Sequence, residues 1–240
     1  MAASEIPPGE HGQPARSDAS SRLQVLSTEH WSLLATRQLT YTESFSRVSM
    51  FLAVLSGAVI ALALLAQVDG FHEAFTIAAV LILAVVLFVG FATVGRLSTL
   101  NREDARWLVG MNRIRRAYLE MHPELEPYFL TGSHDDRAGL MKTLGMDGPA
   151  PGAPGIRDLL HGFQTLPAMV GTVNSVVAGT WAALIAAALG AAIVVAVAIG
   201  VGAGLLTSTA LWLLTRRSFV RFVAELRPAF PSAPMEPPKS

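Results

Sequence analysis

The sequence contains no cysteine, so disulfide bonds, thiolate metal sites and cysteine nucleophiles are all excluded. Its formal net charge is zero, which removes the basic excess expected of a dedicated nucleic-acid-binding protein. Charged residues make up only 15% of the chain, against 52% hydrophobic residues, and the mean hydropathy is +0.45. This balance predicts an integral membrane protein. Lysine is almost absent, and arginine supplies nearly all of the 18 basic side chains. This bias is typical of GC-rich bacterial genomes.

Long apolar runs occupy two parts of the chain. Residues 48–67 and 74–97 each supply the roughly 20 residues that cross about 30 Å of hydrocarbon as a helix. Residues 159–215 contain no Asp, Glu, Lys or Arg, and residues 168–214 suffice for two crossings with a turn at Leu189-Gly190. The fold class predicted is all-α: a polytopic membrane protein with four transmembrane helices as two hairpins. The spans are expected at about 48–67, 74–97, 168–189 and 191–214.

The basic residues predict the orientation. They lie before the first span, between the end of the second span and the third, or after the fourth, and neither external turn contains one. The positive-inside rule then places both termini and the central loop in the cytoplasm, with the spans in a bacterial plasma membrane. Apart from Arg96, at the end of the second span, the spans hold no ionisable side chain, which argues against a pump or a charge-coupled carrier.

Five segments follow along the chain. They are a disordered tail (1–21), a pre-membrane helix with the first hairpin (22–97), a cytoplasmic helical loop (98–166), the second hairpin (167–215) and a basic, then Pro-rich tail (216–240). Within the loop, the sequence predicts a flexible linker at residues 145–155 and a short interfacial helix at residues 156–165.

Small residues recur at every fourth position in three spans, which places each set on one helix face. Such faces let helix backbones approach closely, so we expect helix packing, with a pore lined by small residues as the alternative. The positions are Ala53, Gly57 and Ala61; Gly171, Ser175, Gly179, Ala183 and Ala187; and Ala192, Ala196, Gly200, Gly204 and Ser208. Among polar residues, Asn174 and Thr180 are a possible polar membrane site. Asn174 is expected to bond a neighbouring helix or, alternatively, to line a wet path.

Two amphipathic cytoplasmic helices are predicted beside the membrane. In the first, Trp31 lies on an apolar face with Leu34, Tyr41 and Phe45. In the second, Trp107, Met111, Ile114 and Tyr118 share a face opposite to most of the arginines of residues 101–121. Nucleic-acid binding needs rings and arginines on one exposed surface, so no nucleic-acid partner is expected. The apolar faces are expected to pack together, with the arginines solvated or near lipid phosphates.

Two groups of polar residues have some likeness to metal sites. For His134-Asp135-Asp136 the spacing is not that of a ligand set, and we predict instead that Ser133 and Asp136 cap a short helix. Asp69, His72 and Glu73 form an external turn that could bind a cation, although a solvated turn is the expected role. The sequence has no Walker loop, nucleotide-binding glycine fingerprint, HExxH or GxSxG motif. Neither a catalytic site, a metal nor a cofactor is predicted.

Three segments resemble a known group of proteins: LSTEHWSLLATR (26–37), EDARWLVGMNRIRRAYLE (103–120) and PELEPYF (123–129). Together they resemble uncharacterised integral membrane proteins of high-GC actinobacteria, over residues 22–220. The resemblance implies no activity. The layout alone, a pre-membrane helix followed by two spans and a cytoplasmic helix, is similar to membrane-effector modules of bacterial conflict systems.

The sequence therefore predicts a non-catalytic membrane protein that acts by assembly, either as a homo-oligomeric scaffold or as a subunit that binds a partner through its cytoplasmic helices. The alternative is an ion-conducting pore or triggered membrane effector. A lesser alternative is a lipid-modifying enzyme that uses His122 or His134. The expected partners are the lipid bilayer and either a second copy or another membrane or cytoplasmic protein.

Overall fold

A computed structural model describes residues 13–145 and 165–232. These residues form helices, turns and irregular segments, and none of them forms a β-strand. The helices are α1 (Gln13–Asp69), α2 (Glu73–Met121), a 3₁₀ helix (Pro123–Tyr128), α3 (Arg137–Thr143), α4 (Leu166–Ala188) and α5 (Ile193–Ala224). Four of them, α1, α2, α4 and α5, are long and apolar enough to cross a membrane. The predicted linker at 145–155 and interfacial helix at 156–165 lie almost wholly outside the described residues.

Helix α1 begins earlier than the sequence predicted. It starts at Gln13, so residues 13–21 are helical and do not belong to a disordered tail. The physical reason is local: Pro14 stands in the first turn, where its missing N–H needs no partner, and residues 15–56 contain no further glycine or proline. The helix then runs without a break to Asp69. Residues 1–12 and 233–240 are outside the described part of the chain.

The chain divides into two compact units. The span unit contains residues 39–105 and 148–226 and therefore all four predicted spans. Its core forms around α2, whose buried residues Val86, Val94 and Leu97 pack with Phe51 of α1 and Val177 of α4. The Trp181 indole N–H of α4 also donates to the Val80 carbonyl of α2 at 2.8 Å.

Helices α4 and α5 pack at very close range. A Cβ at Gly179 would lie 2.7 Å from the Gly200 carbonyl oxygen, and a Cβ at Gly204 would lie 3.1 Å from that of Ser175. The pairs 175–204 and 179–200 run in opposite directions along the chain, so the two helices are antiparallel. Gly190, with φ +88, lies in the turn between them, at the position where the sequence predicted a turn. Glycine adopts this positive φ without steric cost.

The loop unit contains residues 1–38, 106–147 and 227–240. Its apolar cluster joins α1 to α2: Leu33, Met111 and Ile114 are buried, with Leu26, Trp107 and Tyr118 packed against them. Leu33 lies over Gly110, where an added Cβ would be 3.2 Å from its Cδ1.

Candidate functional site

A densely bonded polar site surrounds two adjacent carboxylates, Asp135 and Asp136, and is called here the carboxylate site. They stand between the 3₁₀ helix and α3 in the loop unit. The carboxylate site binds residues 227–232, which follow α5 without helical structure and are called here the C-terminal segment. No local pattern in the sequence predicts the contact between the carboxylate site and the C-terminal segment, because the partners are about 95 positions apart in the chain.

Asp135 is fully buried, and both of its carboxylate oxygens accept hydrogen bonds. Its Oδ2 accepts the Arg113 Nε–H at 2.7 Å and the Ala229 amide at 2.8 Å, and its Oδ1 accepts the Phe230 amide at 2.8 Å. Its own amide donates to the Phe230 carbonyl at 3.3 Å. Burial alone would raise the pKa of this carboxyl, but the two amides and the Arg113 guanidinium together outweigh it and lower the pKa. Asp135 is therefore an anion that holds peptide backbone.

Asp136 has two roles at once. Its Oδ1 accepts the Gly139 amide at 2.9 Å, which caps α3. Its Oδ2 accepts the Ser232 amide at 2.9 Å and the Ser232 hydroxyl. Burial would raise the pKa of Asp136, but the bonds from Ser232 and Gly139 lower it. The prediction that Ser133 pairs with Asp136 as a cap was wrong in register: α3 begins at Arg137, so Asp136 itself is the N-cap residue.

Arg113 and Asn112 of α2 fix the geometry of the carboxylate site. Arg113 bonds Asp135 through Nε and the Arg227 carbonyl through Nη2, at 3.1 Å. Asn112 is fully buried; its Nδ2 donates to the His134 carbonyl at 2.8 Å, and its Oδ1 accepts from Arg115 at 2.7 Å. The expected solvated role of the arginines is therefore corrected for Arg113 and Arg115, whose side chains bind within the chain.

The histidines named in the enzyme alternative have ordinary partners. His134 Nδ1 lies 3.3 Å from the Phe230 carbonyl oxygen, and His122 Nδ1 lies 3.0 Å from Glu124 Oε1. Among the described residues, no three His, Asp or Glu side chains are grouped so that they could hold a metal ion. In the turn that the sequence predicts to be external, the His72 and Glu73 side chains are exposed, and the Asp69 side chain is outside the described part.

The predicted cytoplasmic apolar face is formed by four of its five residues. Met111 and Ile114 are buried, and Trp107 and Tyr118 pack beside them. The prediction that Trp31 belongs to this face was wrong, because its side chain is 66% exposed. The α1 residues in this cluster are instead Leu26 and Leu33. The spacing of Leu26, His30, Leu33 and Arg37 follows a helical face, but its polar members hid that signal.

The small-residue faces have different surroundings. Gly171, Ser175, Gly179, Ala196 and Gly200 are buried, and Ala183, Gly204 and Ser208 are half-buried. Ala187 and Ala192 are exposed, which corrects their expected packing role, since they adjoin the turn between α4 and α5. Ala53, Gly57 and Ala61 of α1 are also exposed. A Cβ on Gly57 would meet nothing within 4 Å, so the predicted packing by this face does not occur among the described residues of one chain.

Asn174 is fully buried in the span unit, yet neither its Nδ2 nor its Oδ1 has a hydrogen-bond partner among the described residues. The prediction that Asn174 forms an interhelical hydrogen bond is therefore wrong among the described residues. The amide lies instead against Gly90 of α2, close to the Phe51 ring. Thr180 is exposed, and its hydroxyl donates to the Val176 carbonyl of its own helix at 3.0 Å. The two residues predicted as one polar membrane site are thus in different environments.

An ion-pair network in the span unit was missed by sequence reasoning. Glu43 of α1 accepts from Arg96 Nε and Nη2 at 2.9 Å each, and also from Arg47 Nε at 2.9 Å. Glu103 lies 3.4 Å from Arg96 Nη1. The only sequence signal was Arg96 itself, a charge at the end of an apolar run, which requires a partner when it is drawn out of water.

Comparison of the chain with family models, with curated proteins and with solved structures finds no match. The resemblance to actinobacterial membrane proteins therefore stays a prediction.

Proposed function

We propose that this chain is a non-catalytic membrane protein that acts by assembly, as a homo-oligomeric scaffold or as a partner-binding subunit. The observation that carries the proposal is the carboxylate site. The carboxylate oxygens of Asp135 and Asp136 accept hydrogen bonds from backbone N–H groups, an arginine and a hydroxyl. A site built in this way recognises the backbone of a peptide segment, as in other forms of peptide recognition that use main-chain hydrogen bonds.

The arrangement in the membrane is part of the proposal. The four apolar helices form two hairpins in a bacterial inner membrane, with both termini and the loop unit in the cytoplasm. The distribution of lysine and arginine along the sequence supports this orientation.

The exposed face of α1 supports assembly between copies. Ala53, Gly57 and Ala61 are small, spaced by four and exposed, whereas the comparable face of α4 is packed against α5 through Gly179. Small residues permit close helix association in lipid, where apolar surface alone gives no driving force.

A matched pair of glycines tests this contact. Gly57→Leu is expected to shift the protein in mild detergent toward the mass of a single chain, because a large side chain would block close approach of a second helix. Gly202→Leu is the control, since a Cβ at Gly202 also meets nothing within 4 Å and the residue lies on α5. Unchanged mass for both variants would contradict a role of the α1 face in assembly.

A pore or triggered membrane effector is the second candidate. Asn174 favours it, because an amide that is fully buried without a partner is costly in hydrocarbon and is often kept for a function. Ion flux from liposomes that contain the protein tests this candidate. Flux that is lost on Asn174→Leu supports a pore, and no flux from the unmodified protein contradicts it.

A further inference from the structure

The carboxylate site holds the C-terminal segment through atoms that any copy of the chain can supply. The donors are the backbone amides of Ala229, Phe230 and Ser232 and the Ser232 hydroxyl. The Phe230 carbonyl accepts the Asp135 amide in return. Each of these bonds joins the carboxylate site to six consecutive residues, so none of them depends on the rest of the donor chain.

The sequence of the C-terminal segment fits this pattern of bonds. In RPAFPS, the amides used are those of positions 229, 230 and 232, while the prolines stand at 228 and 231. Proline has no N–H, and here no N–H is required at either proline. Both rings fix φ and keep the segment out of a helix, which lowers the entropy lost when the segment binds.

An empty carboxylate site would be costly. With the segment bound, Asp135 is fully buried, and without the two amides its carboxylate would keep only Arg113 of its three donors. Charge-assisted hydrogen bonds to a carboxylate are stronger than neutral ones, so the site favours a segment that supplies the same amides. The chain passes from the span unit to the loop unit at residues 226–227, which makes the C-terminal segment a separate element at the end of a helix. An element of this kind can be exchanged between identical copies at low cost.

We propose that the carboxylate site of one copy binds residues 227–232 of a second copy, so that neighbouring copies are joined by exchange of their C-terminal segments. This inference rests on the proposed function, because it names the contact through which assembly occurs. The exchanged contact repeats each bond seen within one chain. Neighbouring copies in a membrane supply the segment at high effective concentration.

The absence of cysteine permits a direct test in the full chain. Ser232→Cys is made in a copy with one affinity tag, and Asp136→Cys in a copy with another tag, because these side chains touch. The two are co-expressed in membranes and treated with copper phenanthroline in air. A single-cysteine chain cannot form an internal disulfide, so a two-chain product that carries both tags reports exchange. Ser232→Cys paired with Val25→Cys, a position 68% exposed in the loop unit, is the control.

A second pair protects the test against misfolding, since Asp136→Cys removes the α3 cap. Ser232→Cys is also paired with Arg137→Cys, which is exposed and directly follows the cap residue. The expected result is a reducible two-tag product, at least about fivefold above the control pair, for at least one of these pairs. The peptide LRPAFPSA in excess should lower its yield, whereas LRPPPPSA, which lacks the amides at 229 and 230, should not.

Two results would overturn the exchange. One is a two-tag product no more abundant than in the Val25 control for both pairs, and the other is a yield insensitive to both peptides. An oligomer by mass with no two-tag product would refute exchange and leave assembly intact. A single-chain mass would refute the proposed assembly as well.

Discussion

The side-chain amide of Asn174 lies directly against the backbone of Gly90: a Cβ at position 90 would overlap Oδ1 and would lie 2.5 Å from Cγ. This approach leaves no room for a side chain larger than hydrogen at position 90. It joins α2 to α4 at a point where Asn174 has no conventional hydrogen-bond partner among the described residues.

The Gly90–Asn174 contact predicts a coupled effect on stability. Gly90→Ala should lower the free energy of unfolding by about 1 to 3 kcal/mol, because the new methyl overpacks a filled interface. In an Asn174→Ala background, the same substitution should cost at least about 1 kcal/mol less. Unfolding in detergent of the wild type, both single variants and the double variant measures the coupling. A coupling close to zero would show that the amide does not restrict position 90.

The close contact between α4 and α5 predicts that position 179 requires glycine. A Cβ there would lie 2.7 Å from the Gly200 carbonyl oxygen, a backbone atom that cannot rotate away. Gly179→Ala should therefore destabilise the protein by about 1 to 3 kcal/mol, as measured by thermal or denaturant unfolding. Gly202→Ala, with open space around the new methyl, should be neutral or stabilising by up to about 1 kcal/mol through helix propensity. Equal effects at both positions would contradict the close packing.

Asp135→Asn should loosen the C-terminal segment without unfolding the helices. The amide side chain loses the charge and one acceptor, and each charge-assisted bond contributes about 1.5 to 3 kcal/mol. The backbone amides of Ala229 and Phe230 should then exchange with solvent about 10 to 100 times faster, as measured by hydrogen–deuterium exchange. Glu120→Gln, which removes an exposed ion pair with Arg116, is the control and should leave this exchange unchanged. Equal protection in Asp135→Asn would show that the carboxylate does not hold the segment.

Acid should release the same segment within a defined pH range. The pKa values of Asp135 and Asp136 are both lowered from the ordinary value of 3.8. A carboxyl with a lowered folded-state pKa contributes stability above its unfolded pKa and loses it as the pH falls through the folded one. Protection of the Phe230 amide should thus be constant from neutral pH to about 4 and decline only at lower pH, after correction for intrinsic exchange. A decline centred near pH 6 would indicate control by a histidine and contradict this assignment.

The sequence predicts the long helices well, because twenty consecutive apolar residues and a Leu189-Gly190 turn are local features. It also predicts which residues of α2 share a face, since Trp107, Met111, Ile114 and Tyr118 recur at helical spacing. The sequence does not predict which face of α1 packs against these residues of α2, since Leu33 is buried and Trp31 is exposed. Hydrophobic periodicity identifies a face but does not choose between two faces of a helix that carries apolar residues on several sides.

The candidate site was beyond sequence reasoning for a different reason. The sequence marks the His134-Asp135-Asp136 run as polar and predicts a helix cap there, but the partners of Asp135 are Arg113 and the C-terminal segment. No local spacing relates residue 135 to residue 230. Likewise, Glu43 and Arg96 are 53 positions apart, and only their meeting in the fold reveals the ion pair.

The measurement that tests the account most directly is the mass of the purified 25.5 kDa chain in mild detergent and in lipid nanodiscs, by light scattering or native mass spectrometry. The account predicts a mass of two or more chains, or a defined complex with another protein. A single chain with no co-purifying protein in both environments would contradict the proposal that this membrane protein acts by assembly.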